Sequence, residues 1–192
     1  MKKIFVDVET TGLNPKTNGV IQISGFIVPG DGRVVPFDFH CKPLTIDHVE
    51  DKALEVNNTT HTQISSFPIA METKHRFTEL LDNYINKYNK RDKFIFIGYN
   101  APFDESFIRV WFEKLDDPYF GSYFFYPSID VMNLAVFKLL ERRDELENFK
   151  LSTVCTFFGL EVIEEQLHDS LYDAELTMKL FNLLTKGEVL CP

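Results

Sequence analysis

The stretch Lys3-Ile4-Phe5-Val6-Asp7-Val8-Glu9-Thr10-Thr11-Gly12-Leu13 decides how the rest of the chain is read. Its apolar run, rich in β-branched residues, reads as a buried strand over Lys3 to Glu9. Side chains alternate across a strand, so Ile4, Val6 and Val8 share one face while Asp7 and Glu9 share the other. Two carboxylates pointing the same way from a central strand cost desolvation and mutual repulsion unless a cation compensates them. An isolated D-x-E is more often a solvated strand end, so the pair gains weight only from residues elsewhere.

Outward from this strand, a second apolar run from Gly19 to Val28 meets a third, Val34 to Cys41, across the turn Pro29-Gly30-Asp31-Gly32. This is the signature of an antiparallel hairpin. Helical spacing covers Ile46 to Val56 and Ile69 to Tyr88, and a polar connection, Lys87 to Lys93, leads to another strand, Phe94 to Gly98. Helical patterns then dominate, over Pro102 to Phe112, Val131 to Arg142, Leu151 to Phe158 and Ser170 to Leu184. With no internal repeat, low-complexity tract or linker, residues 1–192 read as a single strand-led α/β domain with a mixed sheet.

Two helices carry acids where apolar residues belong. Asp104 shares a face with Ile108, Trp111 and Phe112, at offsets of four, seven and eight. Glu105 instead aligns with Arg109 and Glu113 on the solvated face, as a surface ion pair. An N-terminal helix acid favoured by the macrodipole explains Asp104 equally well on local grounds. Asp173 stands four, seven and eleven residues before Thr177, Leu180 and Leu184 and so faces inward, with Glu175, Lys179 and Asn182 on the polar side. His168, five positions earlier, is rotated about 140° from Asp173 at helical periodicity, so it must reach from the loop or cap that leads into the helix. Asp169 or Ser170 as N-cap accounts for the His-Asp-Ser string without any chemistry.

The 192 residues, 44% hydrophobic with 19 Phe, suffice for a sizeable core. The formal charge of −9 argues against broad, tight nucleic-acid binding, because phosphate contacts come from Lys and Arg. Discounting the four acids singled out above leaves the surface acidic, so long-range steering of a polyanion is weak. Cys41, Cys155 and Cys191 form no C-x-x-C and no even set, which points to inert thiols rather than disulfides or a zinc site. No apolar run reaches the ~20 residues that span a bilayer, and Asp7 and Glu9 interrupt the only stretch resembling a signal peptide. A cytoplasmic protein without membrane contact is expected.

Three separated motifs carry a resemblance to a known family. They are Phe5-Val6-Asp7-Val8-Glu9-Thr10-Thr11-Gly12-Leu13, Gly98-Tyr99-Asn100-Ala101-Pro102-Phe103-Asp104 and His168-Asp169-Ser170-Leu171-Tyr172-Asp173-Ala174. In order and span they resemble the DnaQ-like, or DEDDh, 3′→5′ exonucleases, and as a set they are specific where each alone is not. The resemblance implies a ribonuclease H-like fold, a mixed five-stranded sheet flanked by helices. It implies two divalent cations, Mg²⁺ or Mn²⁺, held by Asp7, Glu9, Asp104 and Asp173, with His168 as general base. Thr10, Thr11, Gly12, Leu13, Asn100 and Phe103 would bind a 3′ end, preferably single-stranded, and nucleoside 5′-monophosphates would leave. Tyr99 stands where many relatives carry His, and Ser170 where they usually carry Ala. Asp130, in Ile129-Asp130-Val131, matches a segment in which the acid is structural.

DNA is favoured modestly over RNA. A polymerase or another replication or repair protein is the partner class the resemblance admits, although the chain ends at Pro192 soon after the last helix, and a stand-alone enzyme is expected. Two rivals remain: a haloacid-dehalogenase-type phosphatase, whose site also opens on a strand ending in D-x-acid-x-T, and an inactive nucleic-acid-binding module on the same fold. The first leaves Phe103-Asp104 and His168 without a role.

Overall fold

The computed structural model describes residues 1–185; Cys191 and Pro192 lie outside the described residues. The opening strand β1 (Lys3–Thr10) pairs antiparallel with β2 (Val20–Val28), which pairs antiparallel with β3 (Val35–His40). Glycines with positive φ at Gly30 and Gly32 turn the chain between β2 and β3. Beyond the hairpin come α1 (Asp51–Val56), α2 (His61–Ser66) and α3 (Ala70–Asp82). The strand β4 (Ile95–Gly98) then runs parallel to β1, followed by α4 (Ala101–Lys114), α5 (Phe120–Tyr123), β5 (Ile129–Asp130), α6 (Val131–Lys138), α7 (Leu151–Phe157) and α8 (Ser170–Thr185). The sheet order is β3-β2-β1-β4-β5, mixed and five-stranded, with β1 at its centre.

The period-2 alternation of β1 divides the core. Ile4, Val6 and Val8 face one layer with Phe77, Phe96, Phe107, Trp111 and Phe112, which are supplied by α3, β4 and α4. Phe5 faces the other, with Ile97, Val131, Ala135, Val154, Leu176 and Leu180. Phe5 meets Phe181 of α8 edge to face, with ring centroids 5.5 Å apart. Two and four residues further along this face stand Asp7 and Glu9, while two turns back along α8 from Phe181 stands Asp173. Both elements thus bury apolar residues over one half of their contact and present carboxylates at the other.

Several boundaries differ from the sequence pattern for identifiable reasons. The helix expected over Ile46 to Val56 begins only at Asp51, because the Asp47 carboxylate bonds Leu44 N–H and Lys114, and His48 bridges to Asn18. The helix expected to reach Tyr88 stops at Asp82. Beyond it, Asn86 and Asn89 side chains accept the N–H groups of Tyr88 and Arg91, turns that compete with helix. The pattern to Arg142 ends as α-helix at Lys138 and tightens to a 3₁₀ turn over Leu140–Glu145. Among the elements not anticipated, α2 opens on a capping box, Thr60 with Gln63, a signal that was present in the sequence. At two residues, β5 is too short for any periodicity.

Candidate active site

Four acids converge from three elements. Asp7 and Glu9 leave the end of β1 on the α8 face, and both are half-buried. Asp104 sits in the first turn of α4, 3% exposed. Its Oδ1 accepts the Val8 N–H at 3.2 Å, tying the helix start to β1. Gly98 makes room for it, since a Cβ there would lie 3.1 Å from Asp104 Oδ2. Pro102 in the first turn suits a helix start, where its missing N–H is not needed. Asp173 occupies the first turn of α8, its Oδ1 buried and without a hydrogen-bond partner.

The electrostatics follow from this crowding. Burial, then the carboxylates of Asp104, Glu9 and Asp173, hold Asp7 well above the usual carboxylate range. Burial, then Asp173 and Asp104, raise Glu9 to about 8. Burial also raises Asp104 strongly, opposed by the Val8 hydrogen bond. Asp173 is raised to about 6 by burial, against the opposing pull of His168. The charged groups acting on these acids are other acids, opposed only by His168 at Asp173, and among the described residues no Lys or Arg neutralises them. Among the described residues no three of His, Cys, Asp and Glu are already gathered at metal-ligand spacing; unneutralised carboxylates repel one another. The donor set nevertheless fits a hard divalent cation, because it is all oxygen and includes an Asp173 oxygen that is buried and unbonded.

His168 precedes α8 in the left-handed conformation, φ 66°, and is exposed. Capping belongs to Asp169, whose Oδ1 accepts from Leu171 N–H at 3.0 Å and Tyr172 N–H at 3.1 Å. The imidazole of His168 is therefore not used as a cap. Asp130 accepts from Asn100 N–H at 2.9 Å and Met132 N–H at 3.0 Å, a structural role joining β5 and α6 to the start of α4. The Glu105–Arg109 pair forms at 2.7 Å but is less exposed than a solvated face implies, because Arg109 lies over the Phe120 ring at 4.4 Å.

A cleft of about 490 Å³ adjoins Glu9, lined by Val8, Thr10, Gly12, Leu13 and Phe103 and, opposite in sequence, by residues of α1 and Asn57. Leu13 is 82% exposed at its rim. Gly12 is required here, because a Cβ would fall 2.3 Å from both Asn18 Nδ2 and Glu50 Oε1. Of the other residues expected to bind a strand end, Thr10 donates its hydroxyl to Gly12 O at 2.7 Å. Thr11 is fully buried: its hydroxyl donates to His48 O at 2.6 Å and accepts from Gly19 N–H at 2.8 Å. Asn100, left-handed at φ 62°, lies outside the cleft lining. Sequence reasoning did not find the α1 wall, whose only local signal is an ordinary short helix. Nor did it find the structural role of Tyr99, whose hydroxyl donates to Phe149 O at 2.7 Å.

Comparison with known proteins matches residues 4–181 to RNase_T, an exonuclease family. The chain belongs to this family of DnaQ-like exonucleases. It is 26% identical over 190 residues to ribonuclease T of Shewanella denitrificans, covering 93% of this chain and 77% of that protein. It is 25% identical over 190 residues to DNA polymerase III PolC-type of Oceanobacillus iheyensis, covering 97% of this chain but only 12% of the polymerase. Among solved structures, E. coli exonuclease I in complex with a dT13 oligonucleotide superposes with a TM-score of 0.76 at 20% identity, over 96% of this chain and 41% of that one. That likeness establishes the ribonuclease H-like fold. Exonucleases of this family depend on divalent metal. Among the described residues of this family member, no helix is long and apolar enough to cross a membrane.

Proposed function

We propose that the chain is a single exonuclease domain that removes nucleotides from the 3′ end of a single-stranded nucleic acid, with Asp7, Glu9, Asp104 and Asp173 as ligands for two divalent cations, Mg²⁺ or Mn²⁺. The observation that carries this reading is the cluster itself. Four mutually repelling carboxylates include Glu9 of the cleft lining and Asp173 with a buried oxygen that bonds nothing, and among the described residues no Lys or Arg offsets them. Such a set is costly to fold unless a bound charge repays it. Bound cations would supply Lewis acidity for phosphodiester hydrolysis, activating water and offsetting charge on the leaving oxygen.

The chain's own groups do the rest. His168, exposed and free of capping duty, takes the proton of the attacking water, a role suited to imidazole near neutral pH. Leu13 and Phe103 offer apolar surface to the terminal base, and Thr10 and Gly12 shape the backbone under it. Thr11 contributes by holding the loop rather than by touching substrate. Nucleoside 5′-monophosphates are the expected products, with a polymerase or another replication or repair protein as a partner class.

Incubating 3′-ended single-stranded DNA, duplex DNA and RNA side by side in Mg²⁺ tests the reading. Mononucleotide release from 3′ ends, abolished by EDTA and strongest on single strands, is expected. Undiminished cleavage in excess chelator would overturn it, and the DNA to RNA ratio sets the sugar preference. Binding without hydrolysis of any substrate would favour the inactive nucleic-acid-binding module.

A further inference from the structure

The cleft beside Glu9 holds one residue whose charge the proposed chemistry leaves unused. Among the described residues its titratable lining consists of Glu9, Glu50 and Lys52, so Lys52 is the one cation there. Lys52 is exposed on α1 and, among the described residues, has no hydrogen-bond or ion-pair partner. Both acids that precede it are engaged elsewhere. Glu50 Oε1 accepts from Asn18 Nδ2 at 3.1 Å, which turns it toward Gly12, and Asp51 Oδ1 lies 2.7 Å from His61 Nε2. With both neighbouring acids engaged, the Lys52 ammonium is left available to an anion entering the cleft.

The helix fixes where this charge stands. Lys52 and Val56 are four residues apart and share a face of α1, separated by one turn, or about 6 Å of rise. Val56, 47% exposed, contributes with Ala53, Leu13 and Phe103 the apolar part of the cleft. Those side chains can receive a base, whereas the ammonium one turn away can receive only an anion. The lysine stem is flexible, so its ammonium can sweep the mouth of the cleft beside that apolar surface. A base seated against Val56 therefore brings a neighbouring backbone phosphate within range of Lys52.

We infer that Lys52 pairs with a backbone phosphate next to the nucleotide seated in the cleft, so that this site prefers a polynucleotide strand over an isolated nucleotide. The inference rests on the exonuclease reading for the identity of the strand. In a protein whose surface is otherwise acidic, one such contact weighs heavily on affinity, because little diffuse attraction adds to it.

The test is binding of a short 5′-fluorescein oligothymidylate by fluorescence anisotropy in Ca²⁺ across a salt series, with wild type, Lys52→Ala and Lys52→Arg, alongside turnover in Mg²⁺ of the same strand and of the p-nitrophenyl ester of thymidine 5′-monophosphate. Lys52→Ala should weaken strand binding about 3–10-fold at low salt and flatten the log–log salt dependence by about 0.7, the value for one phosphate contact on a single strand. Lys52→Arg should restore both, and the ester, which has no neighbouring nucleotide, should be hydrolysed equally by all three. Equal affinity and equal salt slope for wild type and Lys52→Ala overturn the inference, as does equal loss on the ester. Wild type that binds the strand with the expected slope but hydrolyses neither substrate overturns the exonuclease reading and leaves the phosphate contact standing. Absence of strand binding by the wild type overturns both.

Discussion

Glu9→Gln gives the sharpest check on the carboxylate cluster, because its energetic consequence has a sign that depends on pH. Burial and the neighbouring acids raise Glu9 from 4.5 to about 8 in the folded protein. The folded state therefore binds more protons than the unfolded one between these values, and stability falls as pH rises through that window. With both values inserted, keeping Glu9 mostly protonated in the folded state destabilises the protein by roughly 3 kcal/mol at pH 7 and under about 1 kcal/mol at pH 5; solvent reaching the half-buried side chain lowers the first to about 2. Glutamine keeps the shape and cannot ionise, so in EDTA the variant should melt above wild type by about 4–8 °C at pH 7, at ~2–4 °C per kcal/mol for a chain of this size. At pH 5 the margin should shrink to about 1–2 °C by the same conversion. Saturating Mg²⁺ should raise the wild-type melting temperature more than that of the variant, since bound cation stabilises in proportion to its affinity. Differential scanning fluorimetry at both pH values, with and without Mg²⁺, reads all four quantities. A variant that melts at or below wild type at pH 7 in EDTA, or by an equal margin at both pH values, would refute the reasoning that burial and neighbouring acids oppose the ionisation of Glu9 at this site.

Asp104→Asn should remove most activity while the metal-free protein folds at least as stably, because the raised carboxyl is relieved of charge and the amide oxygen can still accept the Val8 N–H; a marked fall in the metal-free melting temperature with activity retained would assign Asp104 a structural role. His168→Ala should lower turnover by about 10²–10⁴-fold at saturating Mg²⁺ with metal affinity and melting temperature unchanged; near-wild-type turnover would remove His168 from the proton transfer. Lys114→Ala should cost about 3–5 kcal/mol in urea unfolding, because it strands a nearly inaccessible carboxylate: the Asp47 side chain is 1% exposed and lies 2.5 Å from Lys114 Nζ. A loss below about 1 kcal/mol, the size of a surface pair, would mean that solvent reaches Asp47 once the lysine is gone.

The sequence by itself determined which acids face inward. Strand alternation put Asp7 and Glu9 on the face carrying Phe5, and helical periodicity put Asp104 among Ile108, Trp111 and Phe112 and Asp173 among Thr177, Leu180 and Leu184; the buried members of these sets confirm each face. Both periodicities are properties of a few consecutive residues, which is why they are legible without a fold. Only the tertiary structure decided what depends on residues far apart in the chain. Val8 N–H bonds a carboxylate 96 positions away, and Lys114 reaches Asp47 across 67. That second contact helps keep residues 42–50 from continuing α1 backwards, and so leaves α1 short as the far wall of the cleft. The same long-range bonds consume Thr11, which the motif offers as a substrate contact, in holding Gly19 and His48. Whether a polar side chain is spent on the fold or left for a ligand is settled by which partners the folded chain brings within about 3 Å, and local periodicity carries no record of that distance.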